Sequence, residues 1–153
     1  DAGFFLALKI ISGSNFPDPV KIEVLKWFCQ VMLDTAAGQM LDLAKQDPIT
    51  TAKLKTAKYS MIGPLVLGAI LGGVNQTLLK YLGKFGGSLG IAFQIKDDIL
   101  DSEVEIWGGA SLAKQTAEKY QKQAMKIIPE ITKDKNMGKL LEQLTEYLIE
   151  RKK

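Results

Sequence analysis

The sequence predicts an all-α protein. Apolar residues recur three and four positions apart through most of the chain, the spacing that gives an α-helix one apolar face. Proline and glycine pairs interrupt this pattern at a few points, and no stretch shows the alternation of a β-strand or an internal repeat. We therefore expect residues 1–153 to form a single helical domain whose helices pack around a common core.

The first predicted helix begins at Asp18-Pro19, because a capping residue followed by proline is typical of a helix start. It runs to about Ala44. Its apolar residues follow helical spacing: Val20, Val24, Trp27, Phe28, Val31 and Leu41.

The second predicted helix follows a turn at Asp47-Pro48 and runs from Ile49 to Gly72. A kink or break is expected near Gly63-Pro64, since proline lacks an amide donor. The most hydrophobic stretch, Met61 to Val74, falls short of the ~20 residues that a membrane span needs. It is predicted to be a buried helix.

Three more helices are predicted downstream. Gln76 to Asp101 forms the third, and Trp107-Gly108-Gly109 separates it from a polar amphipathic helix over Ser111 to Ile128, which Pro129 is expected to bend or end. The last helix, Asn136 to Arg151, has one apolar face. The third helix contains small residues that allow another helix to approach closely: Gly83, Gly86, Gly87 and Gly90.

Composition excludes several classes of function. The chain is 46% hydrophobic and 24% charged, as in one globular domain, and its net charge of +3 comes from interleaved bases and acids, which argues against a nucleic-acid surface. Cys29 is the only cysteine and histidine is absent. An internal disulfide, a Cys/His zinc site and a histidine-based triad are therefore excluded. A reducing, cytoplasmic setting is expected, and no signal peptide is recognisable.

The most informative stretch is GIAFQIKDDILD, residues 90–101, which ends an apolar helix with three aspartates. Four polar residues fall on roughly one face of this helix, at i, i+3, i+4 and i+7: Gln94, Asp97, Asp98 and Asp101. Their charges repel, and the helix dipole disfavours negative charge at this end by about 0.3–1 kcal/mol each. All-oxygen ligands suit Mg²⁺ shared with substrate phosphates, so we predict a magnesium and diphosphate site. A solvated acidic helix end is the alternative.

Two upstream stretches supply groups that a diphosphate would need. In GQMLDLAKQD, Gln39 and Asp42 lie three residues apart on one helical face and are polar in an apolar setting, so they could face a cavity. In KLKTAKYSMIGP, Lys55 and Thr56 place an ammonium beside a hydroxyl, a simple way to hold phosphate oxygens. Each stretch alone is more typical of a surface. Two neighbouring lysines compete with Lys55 for the role: Lys53 and Lys58.

The order of these motifs resembles the trans-type polyprenyl diphosphate synthases, the group containing farnesyl and geranylgeranyl diphosphate synthases. GQMLD is followed by KTAKY with a Gly-Pro, then by FQIKDDILD, and the chain closes on ERKK, like the C-terminal two thirds of that family. The resemblance implies a bundle of long, mostly antiparallel helices around a central cavity, usually in a homodimer. It also implies an Mg²⁺-dependent prenyltransferase that joins isopentenyl diphosphate to an allylic diphosphate by ionisation, condensation and proton loss.

The resemblance also implies residue roles. Asp97 and Asp101 would ligate Mg²⁺ on the allylic diphosphate, and Asp98 would support them or bind through water. Gln94 would orient this network. Lys55 would grip diphosphate oxygens. The other implied substrate contacts are Thr56 near the departing group, and Gln39 and Asp42 at the diphosphate or its metal-bound waters.

The sequence departs from the family pattern in three places. The first aspartate-rich motif would lie upstream of Asp1, the stretch between GQMLD and KTAKY is shorter than usual, and SEVEIWGGASL replaces a lysine-bearing loop. All three surround the active-site mouth in the family. We therefore expect a partial sequence, either a fragment or joined ordered segments. Alone, it is expected to be inactive unless a partner subunit supplies the other aspartates.

Two further functions stay open. The chain could be a noncatalytic or regulatory subunit of the same fold, binding a partner through the apolar faces of its helices. An unrelated helical metal-binding module is the third interpretation. The acidic stretch lacks the D-x-D-x-D-G order of an EF-hand loop, which argues against calcium sensing.

Overall fold

The structure, a computed structural model, describes residues 2–151, which form helices and turns without a β-strand. The predicted all-α fold is confirmed. In chain order the elements are α1 (Ala2–Ser12), α2 (Asp18–Leu43), α3 (Pro48–Ala52), a π-helical segment (Lys53–Ile62), α4 (Gly63–Leu71), α5 (Gln76–Leu100), a 3-10 turn (Glu105–Trp107), α6 (Ala110–Ile131) and α7 (Lys135–Glu150).

The central helix is α5. It packs along α6 and along the π-helical segment, which in turn packs on α2. α7 lies against α6 and α5, and α1 packs on α2. Buried apolar side chains form separate clusters, one of which contains Ile91, Ile95 and Trp107 beside the acidic end of α5. This cluster supports the part of the molecule that carries the predicted site.

Side-chain caps fix the starts of several helices. The orphan amide groups of a first helical turn need acceptors, and short polar side chains supply them. At α2 the cap position is Pro17, one residue before the predicted Asp18, which is itself helical. Three other helices begin at a side chain that accepts a backbone N–H: Asp47 for α3, Asn75 for α5 and Asp134 for α7.

The chain before Pro64 is a π-helix, in which an amide N–H bonds to the carbonyl five residues earlier. The Gly63 N–H donates to the Lys58 carbonyl in this way. Since Pro64 has no N–H, it cannot extend the pattern, and α4 follows. The expected kink near Gly63-Pro64 is thus a change of helix type. π-helical segments are rare and frequently mark functional sites.

Three other expectations need correction. α1 was not predicted, because its apolar residues lie on all sides rather than on one, and it buries none of them. The stretch from Met61 to Val74 is buried on one face only, with Leu71 exposed. α6 continues past Pro129 to Ile131. None of the helices within residues 2–151 is both long and apolar enough to cross a membrane.

Candidate functional site

Two glycines bring the helices of the site into backbone contact. A Cβ at Gly38 of α2 would lie less than 3.0 Å from the Lys55 amide nitrogen, and one at Gly90 of α5 would lie equally close to the Ala57 Cα. Real Cβ atoms do not approach so closely, so both helices reach the π-helical segment only because these positions lack a side chain. The segment's Lys55 and Thr56 are thereby held against polar residues of α2 and α5.

A chain of hydrogen bonds links three elements of the site. The Thr56 hydroxyl donates to Gln94 Oε1, and Gln94 Nε2 donates to Asp98 Oδ1 at 2.7 Å. From the other side, Trp107 Nε1 donates to Asp98 Oδ2 at 2.7 Å. The chain therefore runs from the π-helical segment through α5 to the 3-10 turn, and both oxygens of Asp98 have a donor.

Asp98 is a buried carboxyl group, with 7% of its surface exposed. Burial raises its pKa above the ordinary value of 3.8, because desolvation disfavours the charged form. The hydrogen bonds from Trp107 and Gln94 and the charge of Lys55 oppose this rise in pKa, whereas the charge of Asp42 adds to it. A carboxyl group under such opposed influences is more typical of a functional site than of a surface.

Lys55 and Asp42 form an ion pair in the wall of a cavity. Lys55 Nζ lies 2.6 Å from Asp42 Oδ2. Asp98 and Asp101 line the same cavity, which has a volume of about 530 Å³. This volume lies within the range of about 300–1,000 Å³ that is usual for small-molecule sites. Other residues of the lining are both polar and apolar, among them Gln94, Thr51, Ala52, Ile106 and Trp107.

The three aspartates do not share one environment. Asp98 and Asp101 line the cavity, whereas Asp97 is absent from its lining and forms an ion pair with Arg151. The Arg151 guanidinium also lies 4.3 Å from the centroid of the Phe93 ring. Adjacent residues of a helix point about 100° apart, so neighbours can serve different surfaces. The prediction of one shared face therefore describes Asp98 and Asp101 better than Asp97.

The other candidates also separate. Gln39 is exposed on α2 and is not part of the cavity lining, whereas its predicted companion Asp42 is. Lys58 pairs instead with Asp34, with 2.8 Å between Nζ and Oδ2. The exposed Lys53 lines a different cavity. Of the three competing lysines, Lys55 is therefore the one that lines the cavity together with Asp98 and Asp101.

The donor set of the cavity fits a hard divalent cation. Asp42, Asp98 and Asp101 contribute carboxylate oxygens to one lining, the ligand type that Mg²⁺ prefers. Within residues 2–151, however, no group of three or more acidic, cysteine or histidine side chains lies close enough to hold an ion. Magnesium commonly binds through one or two carboxylates and completes its coordination with water and phosphate oxygens. The cavity fits that mode rather than an all-protein cage.

Sequence reasoning missed two residues of this region. Trp107 was interpreted only as part of a chain interruption, although a buried indole N–H usually finds a hydrogen-bond partner and its neighbouring acids were visible. Arg151 appeared in the sequence analysis only as the end of the last predicted helix, without a contact. Arg151 and Asp97 are far apart in the sequence, with α6 and α7 between them, so no local spacing could have indicated their contact.

Comparison with known proteins supports the resemblance. The sequence model of the polyprenyl synthetase family matches residues 1–106. Farnesyl diphosphate synthase of Buchnera aphidicola subsp. Schizaphis graminum is 32% identical over 113 residues, which cover 66% of this chain and 38% of that protein. The chloroplastic heterodimeric geranylgeranyl pyrophosphate synthase small subunit of Arabidopsis thaliana is 27% identical over 137 residues, 80% of this chain and 42% of that protein.

The fold agrees with these matches. Geranylgeranyl pyrophosphate synthetase from the archaeon Geoglobus acetivorans superposes with a TM-score of 0.80 at 22% identity, covering 95% of this chain and 62% of that chain. The matched parts of this chain thus span only 38% and 42% of the length of the two curated relatives, and 62% of the length of the superposed structure. The matched residues 1–106 include every predicted site residue, and the chain belongs to the polyprenyl synthetase family.

Proposed function

We propose that the chain acts in a prenyltransferase that condenses isopentenyl diphosphate with an allylic diphosphate to give a longer polyprenyl diphosphate. The observation that carries this proposal is the cavity shared by Lys55, Asp98 and Asp101. A lysine and several carboxylates that line one cavity suit a phosphate group bound together with a divalent metal. Membership of the polyprenyl synthetase family supports the substrate class.

Mg²⁺ is the proposed metal, and Asp98 and Asp101 are its best-placed ligands. Asp42 would contribute through water or through its pairing with Lys55. Asp97, which the resemblance assigns as a ligand, would first have to leave Arg151. When bound, Mg²⁺ would neutralise charge that builds up on the departing diphosphate.

Lys55 is the proposed diphosphate anchor. As the allylic C–O bond breaks, its electron pair leaves with the diphosphate and a carbocation remains. The ammonium of Lys55 would donate to diphosphate oxygens whose charge grows in the transition state, so it would stabilise the transition state more than the ground state. Thr56 and Gln94 hold each other by a hydrogen bond and would keep the adjacent wall fixed near the leaving group.

The remaining steps need no side-chain nucleophile. The double bond of isopentenyl diphosphate attacks the carbocation and a C–C bond forms, after which the diphosphate released in the first step accepts the proton that is lost from the product cation. Apolar wall residues such as Ala52 and Ile106 would limit the water that could capture the cation. The absence of histidine from the sequence is compatible with this chemistry.

Calorimetric titration of pyrophosphate with and without Mg²⁺ tests the proposal. The wild-type protein should release heat only with Mg²⁺, and Asp101→Asn should weaken binding about 10- to 100-fold. Asp18→Asn, on an exposed aspartate at the start of α2, is the matched control and should bind like wild type. Equal heats from wild type and Asp101→Asn would exclude this site. Asp97→Ala in the same series decides whether Asp97 leaves Arg151 to join the metal.

A noncatalytic subunit of the same fold is the second candidate. The similarity to a protein named as a heterodimer's small subunit favours it, and so do exposed apolar side chains on α1 such as Phe5 and Leu6. A homodimer is the corresponding assembly for the catalytic candidate. Sedimentation of the chain alone and with a synthase subunit separates them: a stable hetero-complex without pyrophosphate binding supports the second candidate. A cytoplasmic location belongs to either proposal, since a reducing compartment keeps the exposed Cys29 thiol free.

A further inference from the structure

The Asp98 carboxyl group is held at both of its oxygens. Gln94 donates to Oδ1 and Trp107 donates to Oδ2, each at 2.7 Å. One donor could leave a carboxylate free to rotate about its terminal torsion, which is broad for aspartate. Two donors on opposite oxygens fix the plane of the group. Each oxygen keeps a further lone pair, so a fixed Asp98 can still accept from the cavity.

Trp107 reaches this position through the local conformation of the chain. The residue ends the 3-10 turn, and Gly108 and Gly109 follow with φ values of 81° and 102°. Residues with a Cβ rarely adopt such angles, so the two glycines allow the chain to turn directly into α6. The indole of Trp107 is buried with Ile95 and Ala113, and its single polar atom meets Asp98.

We propose that Trp107 is a positioning residue for the diphosphate site, acting through Asp98. The inference rests on the proposed function, because it concerns the same cavity. Gln94 already lies on α5 with Asp98 and moves with it, whereas Trp107 comes from the connection to α6. Trp107 therefore ties the orientation of the Asp98 carboxylate to the 3-10 turn, whose Ile106 and Trp107 line the cavity. The family match ends at residue 106, so this tie lies just beyond the part of the chain that the family model covers.

Replacing Trp107 by phenylalanine removes the donor and keeps an aromatic ring in the apolar cluster. Trp107→Phe should weaken binding of Mg²⁺ with pyrophosphate about tenfold, the lower end of the loss that follows removal of a side chain that orients a metal ligand. In an Asp98→Asn background the same replacement should cost less than about twofold, because residues that act through one another are not additive. Trp27→Phe is the control, because Trp27 lines a different cavity and its replacement should leave the affinity for Mg²⁺ with pyrophosphate unchanged.

The indole N–H signals of the ¹⁵N-labelled protein give a readout that needs no ligand. With Trp27→Phe, the remaining signal belongs to Trp107; it should exchange slowly with solvent and shift in Asp98→Asn. This measurement leaves Trp107 in place, so it stands even if Trp107→Phe does not fold. The inference would be overturned if the indole N–H of Trp107 exchanges fast with solvent and its chemical shift stays the same in Asp98→Asn.

The binding series separates this inference from the proposed function. If wild type binds pyrophosphate with Mg²⁺ and Trp107→Phe binds equally well, the positioning role is wrong and the proposed function survives. Equal losses in the wild-type and Asp98→Asn backgrounds would also overturn it, because they would show an effect independent of Asp98. If wild type binds no pyrophosphate, both proposals fail.

Discussion

Lys55 and Asp42 hold each other across the contact between the π-helical segment and α2, with 2.6 Å between Nζ and Oδ2. Their side chains are 29% and 44% exposed, so solutes can reach the pair. Solvent-exposed ion pairs contribute only about 0–1 kcal/mol to stability. Under the proposed function, an incoming phosphate would take Asp42's place at small cost, because the pair already holds the ammonium at the cavity.

Lys55→Met should weaken Mg²⁺-dependent binding of pyrophosphate about 10- to 100-fold, because a hydrogen bond to a charged group contributes about 1.5–3 kcal/mol. Methionine retains the apolar stem, so the melting temperature should change little. Calorimetry measures the affinity. Lys53→Met is the matched control on the same segment. Similar losses for both lysines would show that general positive charge, rather than the placement of Lys55, attracts the ligand.

Gly90→Ala should destabilise the protein by about 1–3 kcal/mol, the usual cost of forcing atoms into a packed core. The added methyl group would overlap Ala57 of the π-helical segment. Gly83→Ala is the control on the same helix, since a Cβ there meets nothing within 4 Å. It should raise stability by up to about 1 kcal/mol through the better helix propensity of alanine. Urea denaturation compares them, and equal stabilities would contradict the close helix contact.

Asp34→Asn should reduce the loss of stability in acid. Burial alone would raise the pKa of Asp34, but hydrogen bonds from Lys58 and Gln30 and the charge of Lys58 hold it below 3.8. An aspartate whose pKa is lowered in the folded state stabilises the protein at pH values above the pKa of the unfolded state. This contribution is lost as the pH falls through the pKa of the folded state.

Unfolding free energies at pH 7 and at a series of values below about 4 measure this contribution of Asp34. The variant should be less stable than wild type at pH 7, by about 1 kcal/mol, and the difference should shrink in acid. Asp18→Asn removes an exposed pair with Lys21 and should give a smaller difference. A gap between Asp34→Asn and wild type that stays constant across the pH series would rule out this pairing as its cause.

Asp98→Asn should stabilise the ligand-free protein while weakening pyrophosphate binding. The raised pKa of Asp98 means that the folded state binds its proton more tightly than the unfolded state does. The free energy of unfolding therefore falls as the pH rises from 3.8 through the raised pKa, and asparagine removes that cost.

A gain of about 0.5–2 kcal/mol at pH 7 is typical of a single stabilising substitution. Thermal unfolding with and without Mg²⁺ and pyrophosphate separates the two effects of Asp98→Asn: the ligand should raise the melting temperature of wild type more than that of the variant. Lower stability of the ligand-free variant would show that the hydrogen bonds of the charged form outweigh its desolvation.

Much of the fold could be predicted from the sequence because its signals are local. The turn at Asp47-Pro48 predicted the start of α3 within one residue, and the apolar periodicity from Gln76 to Asp101 predicted both ends of α5 within one residue. α1 could not be found in this way, because periodicity indicates a helix only when one face is buried. The π-helical segment also escaped, since its sequence carries no spacing that distinguishes it from an α-helix.

The candidate site was predictable in its residue types but not in all of its pairings. The spacing from Gln94 to Asp101 and the Lys55–Thr56 pair are local, and the structure brings these residues to one region. The separation of Asp97 from Asp98 depends on Arg151, which lies far along the chain and approaches through tertiary packing. Trp107 likewise acts through a turn whose geometry depends on two glycines.

Gly38 and Gly90 set the spacing of the cavity walls. Asp42 on α2, Lys55 on the π-helical segment and Gln94 on α5 line the cavity, and at the two glycines no side chain separates these elements. A side chain at either position would push two walls apart. The width of the cavity therefore depends on two residues that do not line it.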